Sequence, residues 1–316
     1  MKVFVTRPIP ENGLKLLKEK FEVVVGSNQI LPKGELIQKA KGFDAIITLL
    51  TDKIDGEVLD GLGKQLKIVA NYAVGFDNID LPAAKQRNIY VTNTPGILTE
   101  AVAEHTFALI LAVSRKVVAS DKFVREGHYT QWEPMLLLGK QLWQQTIGIV
   151  GLGRIGSYVA RISTGFRMRI IYYDIKRNSE FESSFNASFK ELPELLKEAD
   201  IVSIHVPLSE ETKHLIGSEQ LSLMKKDAIL VNTSRGSVVD EAALVKALSE
   251  KKIYGAGLDV FENEPRLSPG LTELDNVILT PHTASATIEA REAMSEIAAK
   301  NVIEALEGKT PPNIVQ

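Results

Sequence analysis

The chain has no cysteine among its 316 residues. That excludes disulfides, thiolate nucleophiles and sulfur-ligated zinc, and it fits a reducing compartment. Excess charge is also lacking. A formal net charge of -3 creates no field that would favour nucleic acid or an anionic membrane surface, so neither is expected as a partner. Long apolar runs are missing as well. The longest, residues 107–113, has seven members, against roughly 18 for a membrane-spanning helix. The opening MKVFVTRPIPENG has only three apolar residues in a row before Thr6 and Arg7, too few for the core of a secretory signal. Low-complexity segments and short repeats are absent. These absences lead to the expectation of a cytoplasmic protein.

What is present is an ordinary globular composition, 44% hydrophobic and 24% charged, in a chain long enough for two cores. Short β-branched or aromatic runs at 3–5, 21–25, 44–49, 66–70 and 89–92 alternate with amphipathic stretches such as 35–41 and 81–87. This alternation predicts an α/β fold with parallel sheets covered by helices on both faces. Residues 99–125 read as one long helix, with Thr99 as N-cap, Gly127 as stop and an apolar first half that demands burial on several sides. The alternation then resumes, with strands expected at 146–150, 170–173, 201–206, 228–232, 255–260 and 277–280. A last helix at 286–306 has no strand to lead into, so it is expected to cross back onto the first unit. The expected division is a discontinuous domain of 1–98 plus 286–316 and a continuous one of 99–285. Crossings near Pro95-Gly96 and Ala284-Ser285 would form a hinge over a cleft.

One strand, TIGIV, runs directly into Gly151-Leu152-Gly153-Arg154-Ile155-Gly156 and then a helix, and Asp174 ends the next strand 18 residues after Gly156. In that context the G-x-G-x-x-G pattern points to a dinucleotide. Gly151 allows the turn, Gly153 the approach of a pyrophosphate, and Gly156 close helix packing, while the helix N-terminus faces the phosphates. Asp174 suits the two ribose hydroxyls and repels a 2′-phosphate, favouring NAD(H) over NADP(H). Lys176 and Arg177 are either solvated loop charges or a phosphate clamp.

Three polar residues follow consecutive strands: Arg235 in NTSRG, Glu264 in FENEP and His282 in TPHTAS. Parallel sheets carry their sites outside the carboxyl ends of strands, so the three should share one rim. The set suits hydride addition to a 2-oxo acid. A histidine supplies a proton near neutral pH, a carboxylate beside it favours the imidazolium, and an arginine grips a carboxylate while polarising the adjacent carbonyl. Of the other histidines, His105 reads as a core or interface group, His205 as structural, and His128 and His214 as surface loop residues.

GLGRIG…D, NTSRGSVVDEAAL, GLDVFENEP and TPHTAS, in this order, resemble the D-isomer-specific 2-hydroxyacid dehydrogenase family. The resemblance extends through NYAVGFDNID at 71–80 and AEHTFALILAVSR over essentially the whole chain. It implies two Rossmann-like or flavodoxin-like domains with parallel sheets, a discontinuous substrate domain, a cleft between them, and a homodimer formed through 99–145. It also implies Arg235 as the residue that binds and polarises a small 2-oxo or 2-hydroxy acid, Glu264 as the partner of His282, and His282 as acid/base. Thr233, Ser234, Asp259, Thr283 and Ala284 would approach the cofactor, and the N–H groups of Val74 and Gly75 would hold the substrate carboxylate. The loop HYTQWEPMLLLGKQLW resembles that of the glyoxylate/hydroxypyruvate reductase branch, with Trp132 either packing the dimer arm or reaching a neighbouring subunit's site. Many glyoxylate reductases carry a Ser-Arg type pair for NADP where this chain has Asp174. D-lactate and D-3-phosphoglycerate dehydrogenases are the alternative enzymes, and an NAD(H)-sensing co-repressor is the alternative from another class.

Overall fold

The computed structural model describes residues 1–315. The chain divides into two compact units, Met1–Leu98 completed by the segment from Ala286 onward, and Thr99–Ser285. In the first unit the strands are β1 (Lys2–Val5), β2 (Glu22–Val25), β3 (Ala45–Thr48), β4 (Ile68–Asn71) and β5 (Tyr90–Thr92). They form one parallel sheet in the order β2-β1-β3-β4-β5. Every residue of β3 and β4 is buried, as a sheet covered on both faces requires. The helices between them are α1 (Glu11–Lys18), α2 (Lys33–Ala40), α3 (Gly56–Leu62) and α4 (Leu81–Gln86). Asp55 and Asp80 start the last two by accepting the N–H of Val58 and Ala83 at 3.0 and 2.9 Å, so each cap satisfies a backbone donor the helix itself cannot.

The final helix, Ile288–Leu306, is capped by Thr287 and packs on α1 and β4 of this unit. Its seam with α1 is tight. A Cβ added at Gly13 would lie 2.1 Å from the Ser295 carbonyl oxygen. The Ser295 hydroxyl donates to Pro10 O at 2.7 Å, and the Tyr72 hydroxyl donates to Arg291 O at 2.8 Å. After the helix, the Val315 N–H donates to Val91 O at 3.0 Å, so this segment is bonded to edge strand β5.

The second unit opens with α5 (Thr99–Ser114) and α6 (Val117–Arg125). Here the structure corrects the single helix expected over 99–125. Lys116 takes a left-handed conformation at φ +53°. The Ser114 carbonyl, which a continuous helix would bond to its own next turn, instead accepts the Lys140 N–H at 2.7 Å. Gly139 makes that approach possible, since a Cβ there would meet Ser114 O at 2.3 Å. The apolar face of α5 is buried as its composition demands, while α6 buries no residue. The helix stops at Arg125, with Gly127 just beyond at φ +75°.

Then come β6 (Thr146–Val150), α7 (Arg154–Ser163), β7 (Arg169–Tyr173), α8 (Ser179–Phe185), β8 (Ser188–Phe189), α9 (Leu192–Glu198), β9 (Ile201–Ile204), α10 (Ser218–Leu223), β10 (Ile229–Asn232), α11 (Glu241–Ser249), β11 (Gly255–Leu258) and β12 (Val277–Leu279), so the chain's last helix is α12. The seven strands are parallel, in the order β12-β11-β10-β9-β6-β7-β8. The two-residue β8 is a strand the sequence pattern did not show. Chain order reverses between β6 and β9, the topological switch point of a doubly wound sheet. One core cluster gathers Val202, Leu230 and Leu258, and another gathers Ile147, Ile149 and Val231 with Leu109 and Ile110 of α5. Among the described residues no helix is long and apolar enough to cross a membrane.

Gly13→Ala is expected to cost about 1–3 kcal/mol, the usual range for overpacking a closed seam. Gly34→Ala, where an added Cβ meets nothing within 4 Å, should instead gain roughly 0.4–1 kcal/mol by restricting the unfolded chain. Urea unfolding of the two variants tests this, and equal effects would contradict the close α1–α12 approach.

Candidate active site

The glycine loop sits where β6 becomes α7. Gly151 has φ +96°, and a Cβ there would come within 2.8 Å of the His205 carbonyl carbon. Only glycine meets both demands. A Cβ at Gly156 would meet Gly151 O at 2.1 Å, so this glycine lets the helix lie against the turn. At Gly153 a Cβ would meet nothing within 4 Å, and the helix begins there with no side-chain cap. Uncapped N–H groups facing open space fit the phosphates of a dinucleotide. Leu152 is buried, Ile155 is half-buried against the core and Arg154 is exposed.

Asp174 follows β7 directly. One carboxylate oxygen accepts the Leu152 N–H at 2.6 Å and the other the Lys176 N–H at 3.4 Å. Two backbone donors thus anchor the acid beside the glycine loop. Arg177 is an exposed charge on this loop, and its guanidinium grips Glu182 through two bonds of 2.8 and 2.7 Å.

β10, β11 and β12 lie side by side, so the residues after them share one rim. Asn232, buried at the end of β10, shapes the first turn. Its amide donates to Arg235 O at 2.9 Å, and its oxygen accepts from the Ser234 N–H and hydroxyl at 3.0 and 2.9 Å. A Cβ at Gly236 would fall 1.9 Å from the Phe261 carbonyl carbon, so the Arg235 turn lies directly on the loop carrying Glu264. The Thr106 hydroxyl donates to Val102 O at 2.8 Å, which leaves Thr233 as the donor in the 2.9 Å bond between their hydroxyls.

His282 Nδ1 lies 2.9 Å from Glu264 Oε2, and Glu264 Oε1 accepts the Phe261 N–H at 3.0 Å. A carboxylate accepts only, so Nδ1 carries the hydrogen and Nε2 is the nitrogen left to exchange a proton. Burial disfavours the charge on Glu264. The hydrogen bond and charge of His282, the Phe261 N–H and the Arg235 charge outweigh it and hold the carboxyl below its ordinary value. Arg235, Glu264 and His282 are therefore brought together within one unit.

The backbone at His282 is left-handed, φ +55°. Fully buried Asp259 holds it there. Its carbonyl accepts the His282 N–H at 2.8 Å, and its carboxylate accepts the Thr280 hydroxyl at 2.6 Å and the Thr283 and Ala284 N–H groups at 2.8 Å each. Asp259, Thr283 and Ala284 thus form one tightly bonded turn.

Sequence reasoning missed two groups. His105, expected as a core or interface residue, has Nε2 3.0 Å from Thr280 Oγ1 and 3.4 Å from Asp259. Only the fold shows this, because the partner lies 175 positions on. The Thr280 hydroxyl has already given its one proton to Asp259, so His105 Nε2 is the donor. His214, expected as a loop residue, pairs with Glu262 at 2.6 Å, two residues from Glu264. His205 accords with a structural role. It bonds the Ser203 hydroxyl at 2.8 Å, and burial pushes its pKa down to about 3, which keeps the ring neutral.

Val74 and Gly75 lie in the first unit, after β4. Asn93 and Asn71 donate to their carbonyls at 2.7 and 2.8 Å, and no acceptor among the described residues takes either N–H. No group of three or more metal-ligating side chains exists among the described residues.

Residues 107–284 match the family model described as D-isomer specific 2-hydroxyacid dehydrogenase, NAD binding domain. Glyoxylate reductase of Pyrococcus furiosus is 53% identical over 99% of this chain and 95% of its own. Among solved structures, the TT0316 protein of Thermus thermophilus superimposes with a TM-score of 0.95 at 46% identity, covering 100% of both chains. An NADPH-dependent glyoxylate/hydroxypyruvate reductase of Sinorhizobium meliloti, solved with NADP and malonate, gives 0.89 at 32% identity over 99% of this chain and 96% of that one.

Nitrogen-detected NMR should find His105 as the Nε2–H tautomer or as the imidazolium. An Nδ1–H tautomer would contradict the bond order inferred at Thr280.

Proposed function

Because the chain belongs to the D-isomer-specific 2-hydroxyacid dehydrogenase family, we propose that it reduces glyoxylate to glycolate, and hydroxypyruvate to D-glycerate, with NADH as the preferred reductant. The observation that carries this reading is the Glu264–His282 pair, 2.9 Å apart, on the same sheet rim as the glycine loop. Bound reduced nicotinamide supplies the hydride to the carbonyl carbon. The protein supplies the rest. His282 Nε2 gives its proton to the carbonyl oxygen, which becomes the hydroxyl, and the ring regains a proton from water. Glu264 keeps Nδ1 protonated and fixes the ring so that Nε2 is the nitrogen that exchanges the proton. Arg235 grips the substrate carboxylate and polarises the adjacent carbonyl in the direction charge develops. The N–H groups of Val74 and Gly75, whose own carbonyls are held by asparagines, are proposed as carboxylate donors of the first unit.

Preference for NADH rests on Asp174. Its anchored carboxylate suits ribose hydroxyls and opposes a 2′-phosphate. The relative from Sinorhizobium meliloti uses NADPH; the two reductants differ only in the 2′-phosphate of the adenosine ribose, so a preference between them is read at that end.

The working unit is proposed to be a homodimer formed through 99–145. Among the described residues, eight of the fourteen exposed large apolar side chains fall between Val117 and Trp143, including Trp132 at 77% and Met135 at 74% exposure. An exposed apolar concentration of this kind marks a contact surface.

A panel of 2-oxo acids assayed with NADH and with NADPH tests the substrate and cofactor together. Glyoxylate with NADH should give the highest kcat/KM, and activity confined to pyruvate or to NADPH would overturn the reading. His282→Ala should lose about 10²- to 10⁴-fold in turnover, the range for one general acid, with NADH binding retained; a near-normal rate would remove His282 from that role. Sedimentation equilibrium should show a dimer that Val118→Lys with Val124→Lys dissociates, and a monomeric parent chain would refute the interface.

A further inference from the structure

The β7–α8 connection carries a network that the proposed reaction does not use. Arg177 Nε and Nη2 bond the two oxygens of Glu182 at 2.8 and 2.7 Å. The Tyr172 hydroxyl donates to Glu182 Oε1 at 2.8 Å and accepts the Asn178 N–H at 2.7 Å. Tyr172 is fully buried in β7, two positions before Asp174, so the network is tied to the strand that presents the ribose-facing acid. Glu182 stands on α8, whose start is capped by Asn178 through a 3.0 Å bond to the Phe181 N–H. The Glu182 side chain is only 14% exposed, whereas that of Arg177 is 66% exposed.

This asymmetry matters. A largely covered carboxylate that loses its cation keeps only the Tyr172 hydroxyl, whereas the exposed guanidinium has water to turn to. The guanidinium is therefore held by its partner's need rather than its own. An arginine three residues past an Asp174-type acid has the planar fork that a phosphate monoester takes in two parallel bonds. Here the side-on pair, Nε–H and Nη2–H, is already used and the charge is already matched by Glu182.

We propose that Glu182 is a cofactor-specificity residue: by holding Arg177 in a two-bond pair, it keeps shut a site for a 2′-phosphorylated adenosine ribose on the β7–α8 loop. Asp174 opposes the 2′-phosphate by charge, and Glu182 opposes it by withdrawing the cation that would compensate. The inference rests on the NADH reading above and deepens it. Preference is set by two acids, of which only the first is visible from the dinucleotide pattern.

The test is calorimetric and needs no turnover. Adenosine 2′,5′-bisphosphate and 5′-AMP are titrated into the full-length protein, into Glu182→Gln, into Arg177→Ala and into the double variant. Glutamine keeps the length of the side chain and an acceptor for Tyr172 while removing the charge. Glu182→Gln should bind the bisphosphate about ten-fold more tightly than the parent, the low end for a hydrogen bond to a charged group, with 5′-AMP affinity unchanged. Arg177→Ala alone should leave bisphosphate affinity unchanged, and in the double variant it should cancel the gain. A Glu182→Gln protein that binds 5′-AMP normally but gains nothing for the bisphosphate overturns the proposal. So does a loss of bisphosphate affinity in Arg177→Ala alone, which decides the matter even if Glu182→Gln does not fold. A parent protein that prefers the bisphosphate to 5′-AMP would instead sink the NADH reading, a distinguishable result.

Discussion

Asp259 is buried without exposure to solvent, and around its carboxylate the Thr280–Ala284 turn is built. It accepts from one hydroxyl and two backbone N–H groups at 2.6–2.8 Å, while its own carbonyl holds the His282 N–H. A buried anion with fewer donors would be a liability. With these donors, and with His105 beside it, hydrogen bonding outweighs the burial that opposes its charge and holds its carboxyl below its ordinary value. The left-handed backbone at His282 costs free energy and survives because this turn over-determines it. The orientation of the imidazole towards Glu264 is thus a consequence of a buried charge one strand away.

The rest of the second unit follows the same logic of backbone-to-backbone approach. Gly236 seats the Arg235 turn on the loop before Glu264, and Gly156 seats α7 on the Gly151 turn. In each case an added methyl group would meet main chain, which cannot swing aside as a side chain can. The rim is consequently rigid where the chemistry sits.

Legibility from sequence tracked how local each cause was. The glycine loop was readable because its demands come from neighbours within a few residues, and because a strand, a helix and Asp174 frame it. The shared rim of Arg235, Glu264 and His282 was readable because strand ends in a parallel sheet have one side. The break after Ser114 was not, because its carbonyl is taken by Lys140, 26 residues on and within a loop without periodicity. β8 was missed because two residues cannot display alternation. The roles of Lys176 and Arg177 stayed open because a charge's partner depends on how a loop turns into a helix, and here Glu182 took Arg177.

The first unit is assembled from both ends of the polypeptide. Its β1–β5 sheet is made by residue 92, but the surface covering α1 and β4 belongs to a helix that ends at Leu306, and the bond onto edge strand β5 comes from Val315. During synthesis on the ribosome, the intervening α/β unit emerges complete while its predecessor still lacks a wall. The strands of this sheet are therefore all made before their last covering helix, and a nascent chain halted before α12 leaves α1 and β4 without that partner.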